Sequence, residues 1–186
     1  MRISGGTLKG RTFYPPADHW PTRPTTDFSR TALFNILNNR LDFEEVRFLD
    51  LFGGTGAHSY EMISRGCQQV VYVDKFKPAV QFVTEKTRLW GIESKIRIVH
   101  SDYLLYVRSS LDQFDYIFAG PPYDLPKLDE IPDLVMNSHL LEISGLFVLE
   151  HNPRHDFSTH EHFSETRNYG QTIFTFFRHT VENGAQ

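Results

Sequence analysis

The sequence has few of the features that mark secreted, membrane-spanning or disulfide-stabilised proteins. Its 186 residues include one cysteine, Cys67, which excludes an internal disulfide and a cysteine-rich zinc module. No apolar run reaches the ~18 residues that a membrane span needs, and the first residues have no apolar core typical of a secretory signal. A hydrophobic fraction of 40% argues against disorder. These features predict one compact domain in a reducing, cytoplasmic compartment.

Charge is distributed unevenly along the chain. The 19 basic and 23 acidic residues give a net charge of −4, yet residues 1–40 have a net charge of +4 and the remainder −8. A polyanion would therefore be drawn to the amino-terminal end. Ordinary scatter could produce the same pattern, so charge alone leaves a nucleic-acid role open. The basic residues at this end are Arg2, Lys9, Arg11, Arg23, Arg30 and Arg40.

Strands and helices alternate through the middle of the chain. Periodicity and capping residues predict strands over 46–52, 70–74, 96–100, 114–118 and 145–150. Helices are predicted over 57–65, 78–90 and 103–109 and within 127–141, where Pro132 could interrupt the last one. An earlier helix follows a cap at Thr25 or Thr26, and its predicted buried face consists of Phe28, Ala32, Leu33, Ile36 and Leu37. The strands lack clean apolar–polar alternation, which is typical of parallel sheets buried on both faces.

The two ends of the chain depart from this alternation. Residues 2–14 predict a short β-hairpin, and the proline-rich stretch 15–24 predicts an extended connector. Residues 163–169 and 172–179 predict a closing antiparallel pair. The expected fold is a doubly wound, Rossmann-like α/β sheet, mostly parallel, with an antiparallel carboxy-terminal strand pair and an amino-terminal hairpin extension. We expect residues 1–40 to form a basic extension of the same domain that residues 41–186 complete.

A glycine-rich segment follows the first predicted strand, where doubly wound sheets bind ligands. The glycines in residues 50–56, DLFGGTG, would let the backbone turn tightly and approach a ligand. Asp74 ends the second strand, where it could accept hydrogen bonds from ribose hydroxyls, and Asp102 follows the third, where it could meet an adenine edge. Alternatively, the glycines only form turns and the aspartates are solvated. Ser59 stands where the dinucleotide fingerprint needs Gly or Ala, which favours a cofactor that has adenosine without a pyrophosphate.

A second motif, Gly120-Pro121-Pro122-Tyr123, follows the fourth predicted strand. Two consecutive prolines stiffen the turn and remove N–H donors, so the carbonyl groups are free to accept hydrogen bonds. The tyrosine offers a stacking face for a base. Carbonyls that accept both N–H bonds of a conjugated amine would favour its more nucleophilic, pyramidal geometry, with no metal required. The alternative is a plain turn capped by an aromatic residue, but its position beside the predicted ligand segment favours a functional role.

Four histidines lie close together in the sequence after the fifth predicted strand. Their spacing fits no common zinc motif and no cysteine is nearby, so we predict a solvated loop and no metal site. They are His151, His155, His160 and His162.

Both motifs resemble those of S-adenosylmethionine-dependent amino-methyltransferases. Residues 52–56 are similar to their F-x-G-x-G motif, and residues 120–123 to their D/N-P-P-Y/F motif. More narrowly, the chain resembles the RsmD-type 16S rRNA guanine-N2 methyltransferases from residue 1 to at least 151. Besides the two motifs, this narrower resemblance is carried by Arg2-Ile3, Lys9-Gly10-Arg11, Thr22-Arg23-Pro24-Thr25-Thr26-Asp27, Ala32-Leu33-Phe34-Asn35-Ile36-Leu37, Ser64-Arg65-Gly66 and Glu150-His151. The Arg-Pro-Thr segment is its most specific part.

The resemblance implies a reaction and a set of roles. The expected reaction transfers the methyl group of S-adenosylmethionine to the exocyclic N2 amine of a guanine in 16S rRNA, either free or within the small ribosomal subunit, and a monomer is favoured. The implied cofactor-binding residues are Asp50, Phe52, Gly54, Gly56, Asp74, Asp102 and Tyr103. The implied catalytic and base-pocket residues are Gly120, Pro121, Pro122 and Tyr123. The implied RNA-binding residues are Arg2, Lys9, Arg11, Arg23, Thr25 and Arg30.

Two positions depart from the family pattern. Gly120 stands where the family has Asp or Asn, and Thr31 where a Glu usually follows the helix arginine. Loss of one preorganised hydrogen-bonding group typically lowers the rate on the order of 10²–10³-fold, unless a residue such as Asp124 reaches back. Two alternatives are therefore open. One is a DNA adenine or cytosine amino-methyltransferase, for whose usual recognition domain the chain has no space; the other is a catalytically impaired RNA-binding factor of ribosome assembly.

Overall fold

The computed structural model describes residues 1–16, 20 and 25–180. Its helices are α1 (Asp27–Leu37), α2 (Ala57–Ser64), α3 (Lys77–Trp90), α4 (Tyr103–Ser109) and α5 (Ile131–Met136). Its strands are β1 (Arg47–Leu51), β2 (Gln69–Asp74), β3 (Ile96–His100), β4 (Phe114–Ala119), β5 (Leu141–His151), β6 (Phe163–Tyr169) and β7 (Thr172–Phe177). Within the described residues, no helix is both long and apolar enough to cross a bilayer.

The strands form one mixed sheet in the order β3-β2-β1-β4-β5-β7-β6. Strands β1 to β5 run parallel, whereas β7 pairs antiparallel with both β5 and β6. This confirms the predicted doubly wound α/β fold with its antiparallel carboxy-terminal pair. The order of connection reverses between β1 and β4, so a crevice is expected at the carboxyl ends of these two strands.

Alternate residues of the central strands pack into two separate cores. Phe48 and Tyr72 contribute to a core shared with α1, α2, α3 and the amino-terminal segment. Leu49 and Val73 contribute to the opposite core, shared with α4 and α5. Burial on both faces explains why the strands show no polar alternation in the sequence.

The amino-terminal segment pairs antiparallel around Arg2 and Thr12, and the amides of Ile3 and Phe13 donate to carbonyls of the opposite arm, so the predicted hairpin is present in a short form. The backbone donors that follow Ile3 find another partner. The amides of Ser4 and Gly5 each donate to the buried carboxylate of Glu61 at 2.9 Å. Since Glu61 lies on α2, these bonds fix the basic amino-terminal segment against that helix.

Two helices differ in detail from the prediction. Pro132 lies in the first turn of α5, where its missing N–H costs no intrahelical bond, so it begins the helix rather than interrupting one. In α1 the buried face is shifted from the predicted set. Phe28 is 73% exposed and rests against the ring of Tyr169, whereas Arg30 is buried.

Candidate active site

The glycine segment after β1 and the proline corner after β4 begin side by side at one edge of the sheet. Leu51 pairs with Ala119 across the two parallel strands. The amide of Gly120 donates to the carbonyl of Leu51 at 3.2 Å. On the other side of β1, Leu51 pairs with Val73, one residue before Asp74. The topology therefore brings both predicted motifs and the acidic end of β2 to one crevice.

Asp74 is tied to the glycine segment through the backbone. Its Oδ2 accepts from the amide of Gly54 at 2.8 Å and its Oδ1 from the amide of Phe76 at 2.7 Å. Burial raises the pKa of Asp74, and the two amide donors oppose that shift. A carboxylate has about four lone-pair sites, so about two are left for the hydroxyl groups of a ligand.

A cavity of about 290 Å³ opens beside this carboxylate. Its lining includes five residues that the sequence predicted for cofactor or target binding: Phe52, Gly54, Asp74, Tyr103 and Pro122. The ring centroids of Phe52 and Tyr103 are 4.5 Å apart. Phe52 has a φ of 62°, which is uncommon for a residue with a side chain and is typical of functional sites. The cavity therefore combines apolar walls with one polar edge, as an adenosine requires.

Two aromatic residues that were not predicted for the site also line this cavity. Trp20 and Phe76 both face the cavity, and their ring centroids are 5.8 Å apart. The position of Phe76, two residues after Asp74 at the end of β2, could have indicated that it lines the site. Trp20 lies in the proline-rich connector, where no sequence signal indicated a role in the site. Asp124 also lines this cavity, so the suggestion that it reaches back toward Gly120 finds no support in its position.

A second cavity, of about 50 Å³, adjoins the first and shares Phe52 and Gly54 with it. Its lining includes the predicted residues Asp50, Gly120, Pro121, Thr25 and Arg30. Asp50 is buried, and this burial raises its pKa to about 7 although the hydroxyl of Ser59 donates to its Oδ2 at 2.6 Å. The small cavity thus connects the glycine segment to the proline corner.

The small cavity also contains Glu150, to which sequence analysis gave no role in the site. The Tyr123 hydroxyl donates to Oε1 of Glu150 at 2.7 Å, and the Thr25 hydroxyl donates to Oε2. Burial raises the pKa of this carboxyl, and both hydroxyl donors oppose the shift. Oε2 lies 4.0 Å from the position that a Cβ on Gly120 would occupy. The Glu150 carboxylate therefore offers a side-chain acceptor beside position 120, where the sequence has a glycine. A charged residue within an otherwise apolar strand was the sequence signal for Glu150.

Three of the residues predicted for the cofactor site or the base pocket line neither cavity. Gly56 begins α2 with a φ of 76°, where a Cβ would lie 2.7 Å from the ring of Tyr60. Asp102 caps α4 by accepting from the amide of Leu104 at 2.9 Å. Tyr123 contacts Glu150 as described. These residues hold neighbouring site elements in place, and their direct contacts with a cofactor or base stay predictions.

The predicted RNA-binding residues are divided between the surface and the interior. The side chains of Arg2, Lys9 and Arg11 are exposed, and Arg11 lies over the ring of Trp90 at 5.7 Å. Arg23 lies outside the described residues. This part of the prediction is therefore compatible with contact between the amino-terminal segment and RNA phosphates.

The other two residues of that set point inward. Arg30 is 1% exposed, and its Nη2 donates to the carbonyl of Arg2 at 2.6 Å and to Asp27 at 2.9 Å. A guanidinium that is enclosed in this way cannot contact phosphates on a docked RNA, so the prediction that Arg30 faces RNA is wrong. Thr25 likewise directs its hydroxyl to Glu150, toward the small cavity rather than toward an RNA surface.

The prediction of a solvated loop is wrong for His151, which ends β5 and is buried, whereas His155, His160 and His162 follow β5 and are partly buried. Nδ1 of His155 lies 2.7 Å from Asp129, and Nε2 of His160 lies 3.2 Å from Asp133. In the part of the chain that the structure describes, no group of three or more His, Cys, Asp or Glu side chains is arranged to hold a metal ion.

The sequence and the fold both resemble those of known proteins. The family model described as Conserved hypothetical protein 95 matches residues 1–178. Ribosomal RNA small subunit methyltransferase D of Escherichia coli K12 is 27% identical over 150 residues, which are 81% of this chain and 74% of that protein. A hypothetical protein of Thermus thermophilus is 30% identical, with a TM-score of 0.84 over 96% of this chain and 99% of its own.

A more distant solved structure shows the same fold. It is the 16S rRNA N2-guanine methyltransferase of Thermus thermophilus in complex with AdoMet and guanosine. It is 20% identical to this chain, with a TM-score of 0.67 over 84% of this chain and 44% of its own.

Proposed function

The chain belongs to the Conserved hypothetical protein 95 family, that of the RsmD-type rRNA methyltransferases, and on that premise we propose that it transfers the methyl group of S-adenosylmethionine to the N2 amine of a guanine in 16S rRNA. One observation carries the proposal: Asp74 and the proline corner converge on one open crevice at the carboxyl ends of β1, β2 and β4. Relatives named for methylation of small-subunit rRNA support the substrate class.

The chemistry of the larger cavity fits the adenosine end of this cofactor. Asp74 has lone pairs available for two ribose hydroxyls, and Phe52, Tyr103 and Phe76 offer apolar faces for an adenine. When bound, S-adenosylmethionine would supply an electrophilic methyl group. The role of the glycine segment is to let the backbone pass close to this ligand, from the larger cavity toward the proline corner.

The target amine would be bound at the proline corner. The carbonyls of Gly120 and Pro121 would accept its N–H bonds, and Oε2 of Glu150 lies beside them. For each methyl group that the amine gains it loses one proton, and Glu150 is suited to accept that proton because burial raises its pKa. Tyr123 orients this carboxylate through its hydroxyl. The guanine must be unstacked to reach the site.

Cofactor binding and methyl transfer are tested separately. Calorimetry should detect binding of S-adenosylhomocysteine to the unmodified protein and little or none to Asp74→Ala. Asp115→Ala is the matched control, because Asp115 lies at the opposite end of the sheet in β4 and pairs with Arg47. Equal binding by all three proteins would contradict the proposed cofactor site.

Radiolabelled methyl transfer should then be measured on free 16S rRNA and on assembled small subunits, with mass spectrometry of the digested RNA. N2-methylguanosine is the expected product. Methylation of adenine or cytosine in DNA would support the first alternative function. Cofactor binding without methylation of any substrate would support an RNA-binding assembly factor.

The RNA-binding surface is tested by charge removal. Replacing Arg2, Lys9 and Arg11 together with alanine should weaken RNA binding and lower its dependence on salt, because fewer phosphates are neutralised. Cofactor affinity should not change. Arg108→Ala is the control, since Arg108 is exposed at the end of α4, in the opposite layer. An unchanged salt dependence in the triple variant would contradict the proposed RNA contact.

A further inference from the structure

We propose that Arg30 binds the carboxylate at the amino-acid end of the cofactor. The inference rests on the proposed function, because it assumes a ligand whose adenosine end lies in the larger cavity. It assigns Arg30, for which the sequence predicted an RNA contact, to a carboxylate subsite in the small cavity.

The guanidinium of Arg30 has unused hydrogen-bonding capacity in a buried position. Its Nη2 is occupied by the carbonyl of Arg2 and by Asp27. Its Nε and Nη1 are buried, and neither has a hydrogen-bond partner among the described residues. Buried N–H groups without partners are rare because each loses its hydration without compensation. An acceptor is therefore expected to bind there when the protein functions.

The charge balance around Arg30 also indicates an anion. Asp27 is its ion-pair partner, and the Asp27 side chain is 51% exposed. A buried guanidinium is stabilised poorly by a single, largely solvated carboxylate, and charge-assisted bonds to a second carboxylate would be stronger than neutral ones.

The position of the small cavity selects a carboxylate that belongs to the cofactor. Arg30 lines this cavity, which shares Phe52 and Gly54 with the larger one. A ligand with its adenosine in the larger cavity would extend its other end past these two residues. Asp50 lines the small cavity as well, so the cavity presents groups that can carry charges of both signs. An α-amino carboxylate has the same combination.

The test compares two ligands that share the adenosine end. S-adenosylhomocysteine has the amino-acid end, and 5′-methylthioadenosine lacks it. Arg30→Met keeps an unbranched side chain that can fill the space of the arginine stem, and it removes the guanidinium with its charge. Calorimetry should show that Arg30→Met lowers the affinity for S-adenosylhomocysteine by about 10–100-fold, the effect expected for one charge-assisted contact, and leaves the affinity for methylthioadenosine within about twofold.

Two further variants separate binding from folding. Asp27→Asn removes the negative charge that faces Nη2 of Arg30 and leaves Nε and Nη1 of Arg30 unchanged, so it should retain the preference for S-adenosylhomocysteine. Arg30→Lys should recover part of the affinity. Unchanged binding of methylthioadenosine shows that the larger cavity is intact in each variant.

Three results would overturn the inference. If Arg30→Met weakened both ligands equally, Arg30 would have only a structural role. If it retained the ligand preference but lost affinity for 16S rRNA, Arg30 would support the RNA-binding surface and not a cofactor carboxylate. If the unmodified protein bound neither ligand, the proposed function would fail together with this subsite.

Discussion

Replacement of Glu150 by glutamine tests how the protein works without an acidic side chain at position 120. The amide has nearly the same volume but no charge. In the structure, the hydroxyls of Tyr123 and Thr25 donate to the two carboxylate oxygens. The amide keeps one acceptor, and the Tyr123 hydroxyl has Thr172 Oγ1 as a second partner at 3.3 Å. We therefore expect Glu150→Gln to lose about 0.5–1.5 kcal/mol of stability, the net value of one hydrogen bond.

The effect on turnover should be much larger than the effect on stability. Removing one preorganised group at the reacting atoms lowers kcat on the order of 10²–10³-fold. Affinity for 5′-methylthioadenosine should change little, because Glu150 lines the small cavity and not the larger one, which takes the adenosine end. The pH profile should also change. The carboxylate must be ionised to accept a proton, so kcat of the unmodified protein should fall as the pH drops through the raised pKa of Glu150. In Glu150→Gln that acidic limb should be absent.

The assay is single-turnover transfer of a radiolabelled methyl group to rRNA across a range of pH. Glu142→Gln is the matched control, because Glu142 lies on the same strand but pairs with Arg47 at its far end. It should leave kcat unchanged. Full kcat in Glu150→Gln, with the acidic limb intact, would refute the assignment.

A rescue experiment strengthens the test. A Cβ at position 120 would lie 3.2 Å from the ring of Phe118, a tight contact that requires this ring to shift by a few tenths of an ångström. Gly120→Asn would return a side-chain carbonyl to the position where the family has its acceptor. Added to Glu150→Gln, it should restore kcat at least about tenfold relative to the single variant, since it returns one such group.

Three further predictions concern the cofactor segment. Asp74→Asn should weaken binding of S-adenosylhomocysteine by about 10–100-fold in calorimetry, because the backbone donors and the ribose lose a charged acceptor. Gly53→Ala should lower the free energy of unfolding by about 1–3 kcal/mol in denaturant titrations, since its Cβ would lie 2.3 Å from the buried ring of Tyr72; an unchanged unfolding midpoint would contradict this. The pKa of Asp50 is raised from 3.8 to about 7, so the folded state retains a proton that the unfolded state loses, and stability should fall as the pH rises between these values. When the ammonium group of S-adenosylhomocysteine binds beside Asp50, it should lower the pKa of this carboxyl, so that a fraction of the protein molecules releases a proton. Calorimetry in buffers of different ionisation enthalpy measures this proton release, which should be absent in Asp50→Asn.

The fold could be predicted from the sequence because its signals are local. Strands buried on both faces and the predicted cap before α1, which is Thr26 in the structure, each indicate structure within a few residues. The glycine segment and the proline corner were recognisable for the same reason, since each motif lies within one turn. Their proximity follows from the general rule that parallel strands end at one edge.

The missed features depend on contacts between distant parts of the chain. Nothing in the sequence indicated that the Glu61 carboxylate accepts hydrogen bonds from the amides of Ser4 and Gly5, because these residues lie 57 and 56 positions away along the chain. Hydrophobic periodicity placed Phe28 inside α1 and gave no reason to bury Arg30. The structure does the opposite because the guanidinium finds the carbonyl of Arg2 within the fold. The sequence pattern of α1 gives no information about hydrogen-bond partners that lie outside this helix, such as the carbonyl of Arg2.

The departure at Gly120 illustrates the same limit and also how the structure resolves it. Strand β4 pairs in parallel with β5, and Ala119 lies opposite Leu149. The next residue on each strand is Gly120 on one side and Glu150 on the other, so side chains from either position can reach the same point at the edge of the sheet. When the motif at residues 120–123 is considered alone, Gly120 indicates that the side-chain acceptor is absent. In the folded protein, the neighbouring strand supplies a carboxylate at that point, and the double-proline corner keeps an acceptor beside it.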